Sequence, residues 1–150
     1  MNDDNHFFLV KTDNSRKIFS NINLDYSMIE IKPKDKLDFI SFLEIDESFL
    51  SKRSDFDENL YKNLDIYLIH YSFDEKVGYS KGKLIHIEEG HTIKYIADTN
   101  MGSCGAPILN LRNFKLLGIH KGRNRDNSLF GTSIKAITQD INSELSLGHN

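Results

Sequence analysis

The chain has 150 residues, of which 39% are hydrophobic and 27% charged, with a formal net charge of −3. These values fit one soluble globular chain with a packed core, and the acidic balance excludes nucleic acid or an anionic membrane as the main partner, since both demand a concentrated basic face. A single cysteine excludes an internal disulfide, and no Cys/His cluster has metal-ligand spacing, so neither a metal nor another cofactor is expected.

No segment reaches the roughly 20 apolar residues of a membrane span. The apolar stretch from Phe7 to Val10 is too short for a signal peptide, which makes a reducing, cytoplasmic setting the expectation. Phe7 to Thr12, Arg16 to Phe19 and Ser27 to Ile31 read as strands, with Asp13, Asn14 and Ser15 supplying turn chemistry between the first two. Residues 47–64 are charged and irregular and read as a connector with a helical turn. It separates a first sub-structure, 1–46, from a second, 65–150.

Beyond the connector, Asp65 to Tyr71, Gly82 to Ile87, Thr92 to Ile96, Ala106 to Asn110, Lys115 to His120 and Ser128 to Ile134 read as strands. The basic run Lys121, Gly122, Arg123, Asn124, Arg125 reads as a solvated loop. Ile134, Ile137, Ile141 and Leu145 recur at helical spacing and predict an amphipathic helix over Lys135 to Leu145. The expected architecture is all-β: a small antiparallel barrel followed by a terminal helix.

The chemistry concentrates in Gly102, Ser103, Cys104, Gly105, Ala106 and Pro107. A thiol between two glycines can attack a carbonyl, and the glycines let the backbone turn so that successive N–H groups meet the oxygen that becomes negative. A plain turn with a small residue is the bland alternative. Its neighbourhood favours chemistry: Thr99 stands five positions before Cys104, Pro107 and Ile108 start a strand, and a returning strand carries Leu117, Gly118, Ile119, His120, Lys121 and Gly122.

Together these residues resemble the second barrel of the chymotrypsin-fold (trypsin-like) peptidases, in which the nucleophile lies in Gly-x-Ser-Gly-x-Pro. Upstream, Leu24, Asp25, Tyr26, Ser27, Met28, Ile29, Glu30 and Ile31 resemble the segment whose aspartate orients the catalytic imidazole, which makes Asp25 the matching residue. Asp25 precedes Cys104 by 79 positions (104 − 25), compatible with the roughly 90 of that family's order. The resemblance covers most of the chain from about Phe7 and implies a complete second barrel with a partial first one. Counting back roughly 45 residues from Asp25, the histidine-to-aspartate separation of that order, falls before Met1 and places the base histidine outside the chain. His6 is too close to Asp25, and His70, His86, His91 and His149 lie in the wrong half and read as strand or surface residues.

What the resemblance implies is acyl transfer by Cys104, with the N–H groups of Gly102 and Cys104 as oxyanion hole and Asp25 holding the tautomer of an imidazole. Thr99, His120 and Gly122 would line the substrate subsite. Thr99 with His120 is similar to the glutamyl endopeptidase branch, which reads an acidic side chain at the cleavage position, and Asp98 would oppose that preference if it faced the pocket. Two readings stay open: an endopeptidase acting on peptides or proteins but lacking its histidine, and a pseudo-peptidase that holds a peptide as a binding or regulatory module. Self-association, or a partner chain completing the first barrel, is a further expectation.

Overall fold

The computed structural model describes residues 10–50, 61–71, 76–99 and 102–147. The chain divides into two compact units, Met1–Phe42 and Leu43–Asn150.

In the first unit β1 (Ile18–Asn21) and β2 (Tyr26–Ile29) form an antiparallel hairpin that pairs Ile18 with Ile29. The unit is organised by a buried charge pair. The Arg16 guanidinium donates to both carboxylate oxygens of Asp35 at 2.7 Å, and also to the carbonyls of Lys11 and Glu30. Those bonds, with the Lys32 N–H, hold the Asp35 pKa at about 2. The expected strand from Phe7 to Thr12 lies outside the described residues up to residue 9, and its described remainder, Val10 to Thr12, is not a strand.

In the second unit six strands close into an antiparallel barrel in the order β3-β4-β5-β8-β7-β6. They are β3 (Asp65–Tyr71), β4 (Val77–Glu88), β5 (Thr92–Ala97), β6 (Pro107–Asn110), β7 (Leu116–Arg123) and β8 (Leu129–Ser133). Alternation builds the interior: Ile66 and Leu68 of β3, Ile93 and Tyr95 of β5 and Leu117 of β7 are buried, as are Leu84 of β4, Ile108 of β6 and Leu129 of β8. Burial of such side chains contributes about 1.5–3 kcal/mol each. Closure leaves no free edge on this sheet. All six expected barrel strands are present; β4 begins five residues earlier than expected, and β7 continues to Arg123, so Lys121–Arg123 is strand rather than loop.

The connector contributes α1 (Glu47–Leu50), whose Phe49 is fully buried and meets the edge of Tyr61; residues 51–60 lie outside the described residues. Just before α1, Ile45 bridges Leu116, so this short segment packs with the barrel. Asp46 is buried and accepts hydrogen bonds from Ser48 Oγ (2.5 Å), Asn110 Nδ2 (3.0 Å) and Asn113 Nδ2 (3.1 Å).

The terminal helix α2 spans Ile134–Leu147 and starts where Ser133 Oγ caps the Ala136 N–H at 3.2 Å. Its buried face is Ile134, Ala136 and Ile137; the stripe read from the sequence runs on to Leu145, which is exposed because only the first turns of the helix lie on the barrel. No helix of the described residues is long and apolar enough to cross a membrane.

Candidate active site

The loop between β5 and β6 carries Cys104 across one end of the barrel. Gly102 and Gly105 have φ of 94° and 89°, a region where a Cβ is strained, so the loop needs glycine at both positions. The Gly105 N–H bonds the His120 carbonyl and the Ala106 N–H bonds the Ser103 carbonyl. Among the described residues no backbone acceptor takes the N–H groups of Gly102 and Cys104.

Opposite the loop, β7 approaches β8 so closely that a Cβ at Gly118 would stand 2.4 Å from the Thr132 carbonyl oxygen. Further along, the pairing shifts between His120 and Gly122, leaving Lys121 as the extra residue of a β-bulge. The bulged carbonyl faces the loop and accepts the Cys104 thiol at 2.9 Å. The thiol is exposed, and this carbonyl is its hydrogen-bond partner among the described residues.

Loop and strand enclose a cavity of about 440 Å³ lined by Thr99, Gly102, Ser103, Cys104, His120, Gly122, Arg123 and Leu129. Five residues singled out from the sequence, Gly102, Cys104, Thr99, His120 and Gly122, thus share one concavity. Asp25 belongs to the other unit, where it is exposed in the β1–β2 turn with φ of 51°. Asp98 does not line the cavity. It borders a separate groove with Asp65, Lys81 and Lys83.

His120 is buried, and its Nδ1 lies 2.5 Å from the hydroxyl of the buried Tyr95. Burial pushes the imidazole pKa down, and His70 and Arg123 lower it further, against a weaker opposing effect of the Phe130 carbonyl. Burial, with Cys104 adding to it, pushes the Tyr95 phenol well above its usual range. A protonated phenol can donate to Nδ1, and the lowered imidazole pKa favours the neutral ring with its N–H on Nε2.

Two residues of this region escaped the sequence reading. His70, read as an ordinary strand residue, is buried, and its Nδ1 lies 3.1 Å from Ser103 Oγ while its Nε2 lies 2.9 Å from Ser80 Oγ. Ser80 Oγ in turn bonds the Asp98 carbonyl. A carbonyl only accepts, so Ser80 donates to it and accepts from His70 Nε2–H, and His70 Nδ1 accepts from Ser103. The signal was the alternation of β3, which points Ile66, Leu68 and His70 to the same side. Arg123, read as loop, lines the cavity, and its Nη2 donates to the Thr99 carbonyl at 3.1 Å. Among the described residues no group of three His, Cys, Asp or Glu converges as metal ligands do.

Comparison with known proteins bears on the fold that carries these residues. Residues 80–124 match the 3C cysteine protease (picornain 3C) family. No curated protein matches the chain. Among solved structures, a Glu endopeptidase complexed with MPD superposes with a TM-score of 0.57 and 19% identity, over 80% of this chain and 54% of that one. A mutant of tobacco etch virus protease superposes with a TM-score of 0.53 and 20% identity, over 83% of this chain and 52% of that one. The chain thus spans about half the length of these proteins. Its fold is the chymotrypsin-like peptidase fold, with a six-stranded closed barrel and a terminal helix.

Proposed function

We propose that this chain, a relative of the chymotrypsin-fold cysteine and serine peptidases, carries the nucleophile and the substrate subsite of a peptidase acting on peptides or proteins. The observation that carries this reading is the single cavity holding Cys104, Gly102, Thr99, His120 and Gly122. Cys104 Sγ is the nucleophile: it attacks the scissile carbonyl, and the N–H groups of Gly102 and Cys104 receive the oxyanion. Thr99 and His120 donate to the side chain at the cleavage position, with a preference for an acidic residue there.

In this chain cutting is impaired. The Cys104 proton is directed at the Lys121 carbonyl, and among the described residues no imidazole bonds the sulfur. A free thiol is partly ionised near neutral pH, so the residual reaction is slow rather than forbidden. That same contact favours the second reading, a pseudo-peptidase that holds a peptide without cleaving it. In the first unit Ile18, Met28, Ile29, Phe39 and Phe42 are exposed, which supports a further protein surface against it, from a second copy or a partner chain.

The test uses the purified chain and a peptide with a central glutamate, followed by mass spectrometry of cleavage and by amide shifts of Thr99, Cys104 and Gly122. Binding without measurable turnover is expected. Turnover that vanishes in Cys104→Ala would overturn the impairment and leave the peptidase, whereas absence of any shift at the three amides would refute the peptide-binding site itself.

A further inference from the structure

The cavity is lined by neutral donors with one exception. Thr99 offers a hydroxyl that has no hydrogen-bond partner among the described residues, His120 offers one N–H, and Leu129 supplies an apolar wall. Arg123 is the remaining lining side chain with a charge, and a guanidinium stays protonated throughout the range of protein chemistry.

Its placement is fixed by backbone. Nη2 donates to the Thr99 carbonyl at 3.1 Å, two residues past β5, and Nη1 to the Asn127 carbonyl at 3.5 Å, in the β7–β8 turn. A guanidinium carries five N–H donors, so these two bonds leave donors to spare. Among the described residues Arg123 pairs with no carboxylate. The acid of its own turn, Asp126, already accepts from Ser128 N–H and Oγ, and Asp98 borders a different groove beside Lys81 and Lys83. Among the described residues Arg123 is thus an exposed cation at the wall of the cavity with no carboxylate beside it.

We propose that Arg123 is the charge reader of this cavity: its guanidinium pairs with a carboxylate on the substrate side chain that enters beside Thr99 and His120. The inference rests on the peptide-binding reading above and deepens it. An uncharged amide side chain also accepts from the hydroxyl and the imidazole; the guanidinium adds the charge-assisted contact that separates it from a carboxylate of the same shape. His120 cannot supply that discrimination while neutral. The titratable groups around it are Tyr95 from β5, His70 from β3, Cys104 from the loop and Arg123 from its own strand, and none of them is a carboxylate that would charge it.

The test uses the chain as it exists and three fluorescein-labelled hexapeptides that differ only in a C-terminal Glu, Gln or Ala. Affinity is read by anisotropy and site occupancy by the amide shifts of Cys104 and Gly122. The Glu peptide should bind about tenfold more tightly than the Gln peptide, as expected for a charge-assisted contact. That ratio should weaken with salt and stay flat between about pH 6 and 8, across the ordinary imidazole range. Arg123→Gln should abolish the ratio by weakening the Glu peptide alone, and Arg123→Lys should keep most of it. A ratio unchanged in Arg123→Gln, or lost equally in Arg123→Lys, would overturn the charge-reader assignment while the peptides still occupied the cavity. If none of the three peptides moves the cavity amides, the peptide-binding reading fails and takes this inference with it.

Discussion

Ser103→Ala tests whether the Cys104 loop is held from beneath by His70. Ser103 is 2% exposed, and its hydroxyl sits 3.1 Å from His70 Nδ1, an acceptor on a ring that is itself buried. Removing the hydroxyl leaves Nδ1 without its donor at the end of the barrel, which costs about 1–3 kcal/mol for an orphaned buried acceptor. The other end of the chain survives, because Ser80 still donates to the Asp98 carbonyl and accepts from Nε2. Urea unfolding of Ser103→Ala, His70→Phe and the double variant forms a cycle whose coupling energy isolates the Ser103–His70 contact. A coupling of about 0.5–3 kcal/mol is expected for residues sharing one hydrogen bond. Nitrogen shifts of the His70 ring in the unmutated chain should report the Nε2–H tautomer. Additive stabilities, or a ring protonated on Nδ1 alone, would refute the idea that this imidazole anchors the loop through Ser103.

Two further outcomes concern stability. Gly118→Ala places a methyl 2.4 Å from the Thr132 carbonyl and 2.7 Å from Ile93 Cδ1, so β7 and β8 must separate; a loss of about 1–3 kcal/mol in urea unfolding is expected. For Asp46, burial raises the carboxyl pKa, but hydrogen bonds from Ser48, Asn110 and Asn113 outweigh it and leave the folded value below the ordinary 3.8. A depressed carboxyl contributes stability above its unfolded pKa and loses it as pH falls through the folded one. Asp46→Ala should therefore lower the melting temperature at neutral pH, and the gap between variant and parent should shrink as pH drops below 3.8. A gap that stays constant to the acid limit would contradict the assignment.

The sequence by itself determined the six barrel strands, because period-2 alternation of apolar residues records which side of each strand leaves water. Ile66 and Leu68, or Ile93 and Tyr95, declare their faces without reference to any partner. It also marked the turn of the Cys104 loop, since Gly102 and Gly105 are the residues that positive φ demands on both sides of Cys104. The terminal helix was legible from the spacing of Ile134, Ile137 and Ile141, whereas its cap at Ser133 and the exposure of Leu145 were not, because the length of helix lying on the barrel is set by what packs beneath it.

What only the tertiary structure decided are the pairings across the closed barrel. His70 and Ser103 are 33 positions apart and Tyr95 and His120 are 25 apart, and no local pattern encodes that these side chains touch. Arg123 was misread as loop because a run of basic residues with a glycine looks solvated until the strand register is known. The bulge at Lys121 decides it, by turning one carbonyl to the thiol while β7 continues and brings Arg123 to the cavity wall. Alternation fixes the face of a residue along one strand; closure of the sheet fixes its neighbours, and the chemistry of this cavity depends on the neighbours.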